Sequence, residues 1–247
     1  MRTCKTWVGL AAAASVVAGG FAWWRRASKQ GPGQPSADDI FSLFLPGGPQ
    51  GYWCNGPLGK VTAKLMPIIE AGTYRTVAGM LDLRPDDDLL DIGCGPGGFL
   101  AAEARHGHRA VGIDASPLML RVASRRLADR IAGGTVKLVQ GNAAALPFGD
   151  AEFSAAIAIY APASPPEVFR VLRPGGRFVL ADPEPARKPT DESAPSWGRQ
   201  LWGESDYRRM LEEAGFTDVV IQFDRGGLYA SGRKPTESTP GSNAREQ

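Results

Sequence analysis

Between residues 88 and 183 short continuous apolar runs alternate with stretches whose apolar residues recur every three or four positions. The short runs predict buried strands: LLDIG at 89–93, RAVGID at 109–114, TVKLVQG at 135–141, FSAAIAIYA at 153–161 and GGRFVLADP at 175–183. Helical spacing falls between them, in GFLAAEARHG (98–107), SPLMLRVASRRLADRIA (116–132) and EVFRVL (167–172). Ser116 is placed to cap the second of these, with Pro117 in its first turn. Ser164, Pro165 and Glu167 spell a capping box ahead of the third. Upstream, Leu65, Ile68, Ile69, Val77, Met80 and Leu81 keep helical spacing from Lys60 to Leu83, with Pro67 and Gly72 splitting the segment into two helices. ESDYRRMLEEAGF (204–216) predicts a late helix stopped by Gly215, and TDVVIQFDRGGLYASGRK (217–234) two closing strands. Strands alternating with helices imply a parallel sheet with helices on both faces, the α/β doubly wound class. In such sheets ligands bind beyond the carboxyl ends of the strands, near the first strand–helix turn.

The two ends of the chain have a different character. WVGLAAAASVVAGGFAWW, residues 7–24, runs without a charge between Arg2 and Lys5 on one side and Arg25, Arg26 and Lys29 on the other. As a helix it would span about 27 Å, close to the hydrocarbon thickness of a bilayer, with tryptophan at both interfaces. It reads as a candidate membrane anchor; a cleaved signal peptide and an unstructured leader are the alternatives. ASKQGPGQPSADD (27–39) has linker composition and KPTESTPGSNAREQ (234–247) is polar throughout. The expected organisation is an N-terminal apolar segment and linker over 1–39, one folded domain over 40–234, and a disordered tail over 235–247.

Composition narrows the function classes. Charge is nearly balanced at +2, without the basic footprint of a nucleic-acid binder. The three cysteines, Cys4, Cys54 and Cys94, are isolated, which fits neither a disulfide framework nor a metal site. His106 and His108 bracket a glycine and read as a turn after a helix, so no metal is expected.

The chemistry lies in DIGCGPGG, residues 91–98. Gly93, Gly95 and Gly97 alternate, while Gly93, Gly95 and Gly98 also spell the dinucleotide fingerprint G-x-G-x-x-G. Glycines here permit positive φ and close backbone approach to a ligand. A tight turn can also need them for packing alone. Asp114, at the end of the second strand, could accept both hydroxyls of a ribose, which dinucleotide and adenosyl ligands share. Asp91 discriminates better, since a carboxylate before the turn opposes a pyrophosphate but suits the ammonium of a methionine moiety.

With LLDIGCGPGGFL, VGIDAS, GNAAALPF, VLRPGG and EEAGF in this order, the chain from Leu81 to Lys234 resembles the class I S-adenosylmethionine-dependent methyltransferases, especially the branch of quinone and sterol methyltransferases. The resemblance implies a Rossmann-like, mostly parallel seven-stranded sheet with an antiparallel final strand. It implies S-adenosylmethionine as cofactor and methyl transfer to a small or lipophilic acceptor by in-line displacement. Asp91, Gly93, Cys94, Gly95 and Gly97 would then line the methionine and ribose part of the cofactor. Asp114 would hold the ribose, Ala115 and Ser116 would flank the adenine, and Asn142 and Ala143 would meet its edge. Tyr160 stands where the acceptor pocket should begin, as a candidate donor or base, against the plainer reading of a packed strand-end tyrosine.

The sequence departs from the family pattern twice. Asn142 replaces the usual Asp, and the stretch IYAPASPPEVFRVLRPGG is abbreviated where acceptor-facing residues usually lie. The second departure keeps open a cofactor-binding protein of this fold without transferase activity; an NAD(P)-dependent oxidoreductase is the further alternative. IYAPASPP lacks the Asp/Asn-Pro-Pro-aromatic signature of base N-methylation. The aromatic segment before Lys60 and the stretch PEPARKPTDESAPSWGRQLW (183–202) are candidate walls of an acceptor pocket. An anchor at residues 7–24 would hold a cytoplasmic catalytic domain at a membrane.

Overall fold

Leu89 and Leu90 are both fully buried, although side chains at successive strand positions point to opposite faces. The sheet they belong to is therefore covered on both sides, which is why its strands read as unbroken apolar runs. In the computed structural model, residues 59–103, 109–183, 203–224 and 226–236 are described. Two helices lead in, α1 (Gly59–Ile69) and α2 (Ala71–Leu81). There follow β1 (Asp88–Ile92), α3 (Gly98–Ala102), β2 (Arg109–Asp114), α4 (Pro117–Arg126), α5 (Ala128–Ala132) and β3 (Val136–Gln140). The second half comprises β4 (Phe153–Ile159), α6 (Pro165–Val171), β5 (Leu172–Pro183), α7 (Glu204–Glu213), β6 (Thr217–Asp224) and β7 (Gly227–Arg233).

The seven strands form one sheet in the order β3-β2-β1-β4-β5-β7-β6. Pairs from β3 to β5 are parallel, while β7 is antiparallel to both β5 and β6. The order reverses between β1 and β4, so a crevice opens at the carboxyl ends of these two strands. Along β4, Ala155 and Ile157 face a cluster with Tyr74, Val77 and Leu81 of α2 and with Phe99 and Leu100. Ala156 and Ala158 face the other, with Val168 and Val171 of α6 and Leu211 of α7. The expected α/β architecture, including the antiparallel strand, is the observed one.

Local expectations fare unevenly. Ser116 does cap α4, accepting from the Met119 N–H at 3.2 Å, with Pro117 behind it. The capping box at Ser164 does not form: the Ser164 side chain makes no cap bond. Glu167 instead accepts the Leu146 N–H at 2.9 Å and binds Arg170 with both oxygens. Arg170 also donates to Asp150 and to the Phe148 and Leu146 carbonyls, so this charged network outcompetes the local cap. The single helix expected over 116–132 bends at Leu127 (φ −106°), whose side chain is buried. The two upstream helices meet at Glu70, between Pro67 and Gly72; Pro67 itself lies inside α1. Strand β5 begins at Leu172 rather than Gly175, with a register shift against β4 between Phe153 and Ala155.

A second anchor of the sheet lies at its far end. Asp87 pairs with Arg177 of β5 and accepts from Ser154 Oγ at 2.7 Å and from the Arg84 N–H at 2.8 Å. The apolar segment at 7–24, the stretches at 40–58 and 184–202, both histidines and residues 237–247 of the tail lie outside the described residues. No helix among the described residues is long and apolar enough to cross a membrane.

Candidate active site

After Ile92 the chain turns onto β2, where the N–H groups of Gly93 and Cys94 both donate to the Ile113 carbonyl, at 2.8 and 3.0 Å. Gly93 holds φ at 70°, and a Cβ there would overlap that of Ala161, just past β4. Only glycine fits this approach of two loops. Asp114 fixes the turn from the other side. Its Oδ2 accepts the Gly95 N–H at 2.8 Å and its Oδ1 the Ser116 N–H at 2.7 Å. Each carboxylate oxygen retains a further lone pair for a ligand. Burial pushes the Asp114 carboxyl up, against the lowering effect of these two bonds.

Gly93, Gly95, Asp114, Ala115, Ser116, Ala143 and Tyr160 share the wall of one cleft with Met66 of α1. The other predicted residues do not line this cleft: Asp91, Cys94 and Gly97 are buried, and Asn142 is exposed. Cys94 is buried, and burial raises its thiol far above the reactive range. Gly97 packs against Leu127 and Ala123. Asn142 Oδ1 accepts the Ala144 N–H at 2.7 Å, so it closes its own turn. Asp91 is 3% exposed and its Oδ2 has no hydrogen-bond partner. Burial is the main cause that lifts its pKa to about 8, reinforced by the negative charges of Asp114 and Glu70.

Tyr160 combines three unusual features. It adopts φ of 51°, in the left-handed region, held by its N–H bond to the Ala181 carbonyl at 2.8 Å. Its hydroxyl lies 3.0 Å from Thr73 Oγ1. Burial pushes its phenol up, so at neutral pH it is protonated and can donate. One strand over, at the end of β5, Asp182 accepts from the Tyr207 hydroxyl at 2.7 Å, and burial raises its carboxyl.

Helix α2 and its approach carry site residues that the sequence reading missed. Tyr74 donates to Glu70 Oε2 at 2.6 Å, and Thr73 meets Tyr160. The signal was present: Glu70, Thr73 and Tyr74 follow the i, i+3, i+4 spacing of one helical face within an otherwise apolar pattern.

The profile of a family described as a methyltransferase domain matches residues 89–176, from β1 into β5. A 24-methylenesterol C-methyltransferase of Oryza sativa subsp. japonica is 41% identical over 113 residues, which are 42% of this chain and 31% of that one. A demethylmenaquinone methyltransferase of Symbiobacterium thermophilum is 34% identical over 119 residues, 44% of this chain and 47% of that one. The chain thus spans less than half the length of either relative. Among solved structures, a phosphoethanolamine N-methyltransferase 2 of Haemonchus contortus in complex with S-adenosyl-L-methionine superposes with a TM-score of 0.61. It is 14% identical, and the match covers 75% of this chain and 59% of that one; this likeness is one of fold.

The cleft suits the family's methyl donor on its own chemistry. A pyrophosphate in the cleft would meet the Asp114 carboxylate and face the nearby acidic Asp91 and Glu70, whereas a cationic amino-acid end would supply the charge that the orphaned Asp91 oxygen lacks. The residues that build the glycine turn fall within a match to a methyltransferase domain, and the sheet around them has the fold of a solved methyltransferase in complex with S-adenosyl-L-methionine.

Proposed function

We propose that the protein transfers a methyl group from S-adenosylmethionine to a small, lipophilic acceptor. The observation that carries the donor half is the buried, unpartnered Asp91 oxygen beside a glycine turn clamped by Asp114. When bound, the cofactor supplies a methyl on a positively charged sulfur, activated for in-line displacement. The chain's own task is positioning. In this reading Asp91 takes the ammonium and Asp114 the ribose hydroxyls, through the lone pairs its backbone bonds leave open. Ala115 and Ser116 flank the adenine, and Ala143 with its neighbour Asn142 meets its edge.

The acceptor half rests on apolar surface. Met66 lines the cleft, and on the same helix Leu65, Ile68 and Ile69 are exposed, Ile68 to 74%. A lipophilic acceptor fits this side, and a membrane location through residues 7–24 would bring the enzyme to such a substrate. Protonated Tyr160 orients the acceptor as a hydrogen-bond donor. Where the acceptor must lose a proton, Asp182 is the better base, because Tyr160 is already protonated and Asp182 directly follows Ala181, whose carbonyl accepts the Tyr160 N–H.

Titration with S-adenosylhomocysteine and with NADH tests the donor: binding of the first and not the second is expected, and the reverse result overturns it. Labelled cofactor offered with fractionated lipid extracts and with water-soluble metabolites tests the acceptor. Transfer of label into the organic phase is expected, whereas binding without transfer to any fraction favours the non-catalytic alternative.

A further inference from the structure

The fourth glycine of the turn, Gly98, faces a side chain rather than open space. A Cβ on Gly98 would overlap the Tyr74 hydroxyl and press on its ring, with Cε2 and Cζ at 3.0 Å. Tyr74 is buried, packs edge-on against Phe99 with ring centroids 5.8 Å apart, and donates to Glu70. The bare Cα of Gly98 thus admits a tyrosine, and that tyrosine holds the Glu70 carboxylate one helical turn beyond Met66, which lines the cleft.

We propose that Glu70 and Asp91 together hold the ammonium of the donor's amino-acid end, with Tyr74 as the positioning residue that fixes Glu70. The proposal rests on the donor reading above and adds to it a binding residue outside the glycine turn. Two carboxylates in one low-dielectric pocket repel each other unless protonated or bridged by a cation. Asp91 has a buried oxygen without a partner, and the charges that act on it, Asp114 and Glu70, are both negative. Arg126 acts on Tyr74, but its guanidinium donates to the Pro96 carbonyl at 2.7 Å. Glu70 spends one oxygen on Tyr74, which leaves the other for a ligand. Burial lifts Glu70 to about 7 and Asp91 to about 8, so near neutral pH the ligand-free pair holds protons that an entering ammonium displaces. Tyr160 also feels Glu70, so the acceptor side faces the same charge.

The test compares two probes by calorimetric titration of the full chain. S-Adenosylhomocysteine carries the ammonium; 5′-methylthioadenosine shares the adenosine and the sulfur but has no amino-acid end. Glu70→Gln should weaken the first about 10- to 100-fold and change the second by no more than about twofold, as loss of a charge-assisted bond to the ammonium requires. Titrations at pH 7 in buffers of different ionisation enthalpy should show proton release with S-adenosylhomocysteine, reduced in Glu70→Gln. Tyr74→Phe should increase that release, because Glu70 loses the bond that favours its charged form. Equal losses for both probes in Glu70→Gln would make its role structural and overturn the proposal. So would unchanged affinity for S-adenosylhomocysteine. If Glu70→Gln does not fold, unchanged proton release in Tyr74→Phe overturns it. If the wild-type protein binds neither probe, the donor reading itself falls, a result distinct from all of these.

Discussion

The Asp114 carboxylate accepts the backbone N–H of Gly95 at 2.8 Å, joining the end of β2 to the middle of the glycine turn nineteen residues earlier. One side chain therefore shapes the turn and offers acceptors to whatever lies in it. Replacing Asp114 with Ala removes both effects. It also leaves the Gly95 N–H without its partner.

Asp114→Ala should weaken S-adenosylhomocysteine binding by about 1.5–3 kcal/mol, the range for hydrogen bonds to a charged group. Calorimetric titration measures the loss, and circular dichroism checks that the variant is folded. Unchanged affinity in a folded variant would remove Asp114 from the donor site.

What the sequence made legible was what short spacing encodes. The unbroken apolar strand runs, the Ser116–Pro117 helix start and the alternating glycines all act within a few residues, and the structure has each of them. The features it hid depend on partners far along the chain. Ser164 and Glu167 have the right spacing for a cap, yet Arg170, Asp150 and the Leu146 backbone claim Glu167. The bend at Leu127 has no glycine or proline to announce it. Gly98 looked like part of a dinucleotide fingerprint because nothing nearby in sequence points to Tyr74, which fills its space from 24 positions upstream. Glu70 differs: its partner Tyr74 lies only one helical turn away, and the polar face they share was readable in the sequence.

Gly98→Ala should destabilise the protein by about 1–3 kcal/mol, the usual cost of overpacking a filled site. Tyr74→Phe removes the atom nearest the new methyl, so the glycine substitution should cost less in that background. Urea unfolding of the two single variants and the double variant gives the coupling, expected at about 0.5 kcal/mol or more for residues in contact. Additive effects would show that Tyr74 does not occupy the space over Gly98.

Tyr160→Phe distinguishes a donor from a base. With its phenol pushed up by burial, Tyr160 is protonated through neutral pH and cannot take a proton. Its removal should lower methyl transfer far less than the roughly 100- to 10,000-fold that general-base catalysis contributes. Asp182→Asn should show the larger loss when the acceptor is a hydroxyl or an ammonium. A large loss in Tyr160→Phe with a normal Asp182→Asn would reverse the two roles.

If residues 7–24 anchor the chain, the full-length protein should sediment with membranes and resist alkaline carbonate. A variant lacking residues 1–30 should stay in the supernatant. Full-length protein found wholly in the supernatant would remove the anchor and, with it, the proximity argument for a membrane-borne acceptor.

The Asp87–Arg177 pair predicts how stability responds to acid. Burial opposes the Asp87 charge, but bonds from Ser154 and the Arg84 N–H, together with Arg177, outweigh it and hold the carboxyl below its usual value. A carboxyl whose pKa is lower in the folded state contributes fully above its unfolded value of about 4 and loses that contribution as pH falls through the folded value. Arg177→Met strands Asp87 and removes a guanidinium that also donates to the Leu81 carbonyl at 2.8 Å, where α2 ends. The variant should lose about 3–5 kcal/mol at pH 7, as when one partner of a buried pair is removed. As pH falls below the unfolded value of about 4 and through the lower folded value, the gap to wild type should narrow, because protonation of Asp87 weakens the pair in the wild-type protein as well. Denaturant unfolding of both proteins across pH 2–7 measures the two curves, and a gap that stays constant with pH would show that the pair adds nothing through charge.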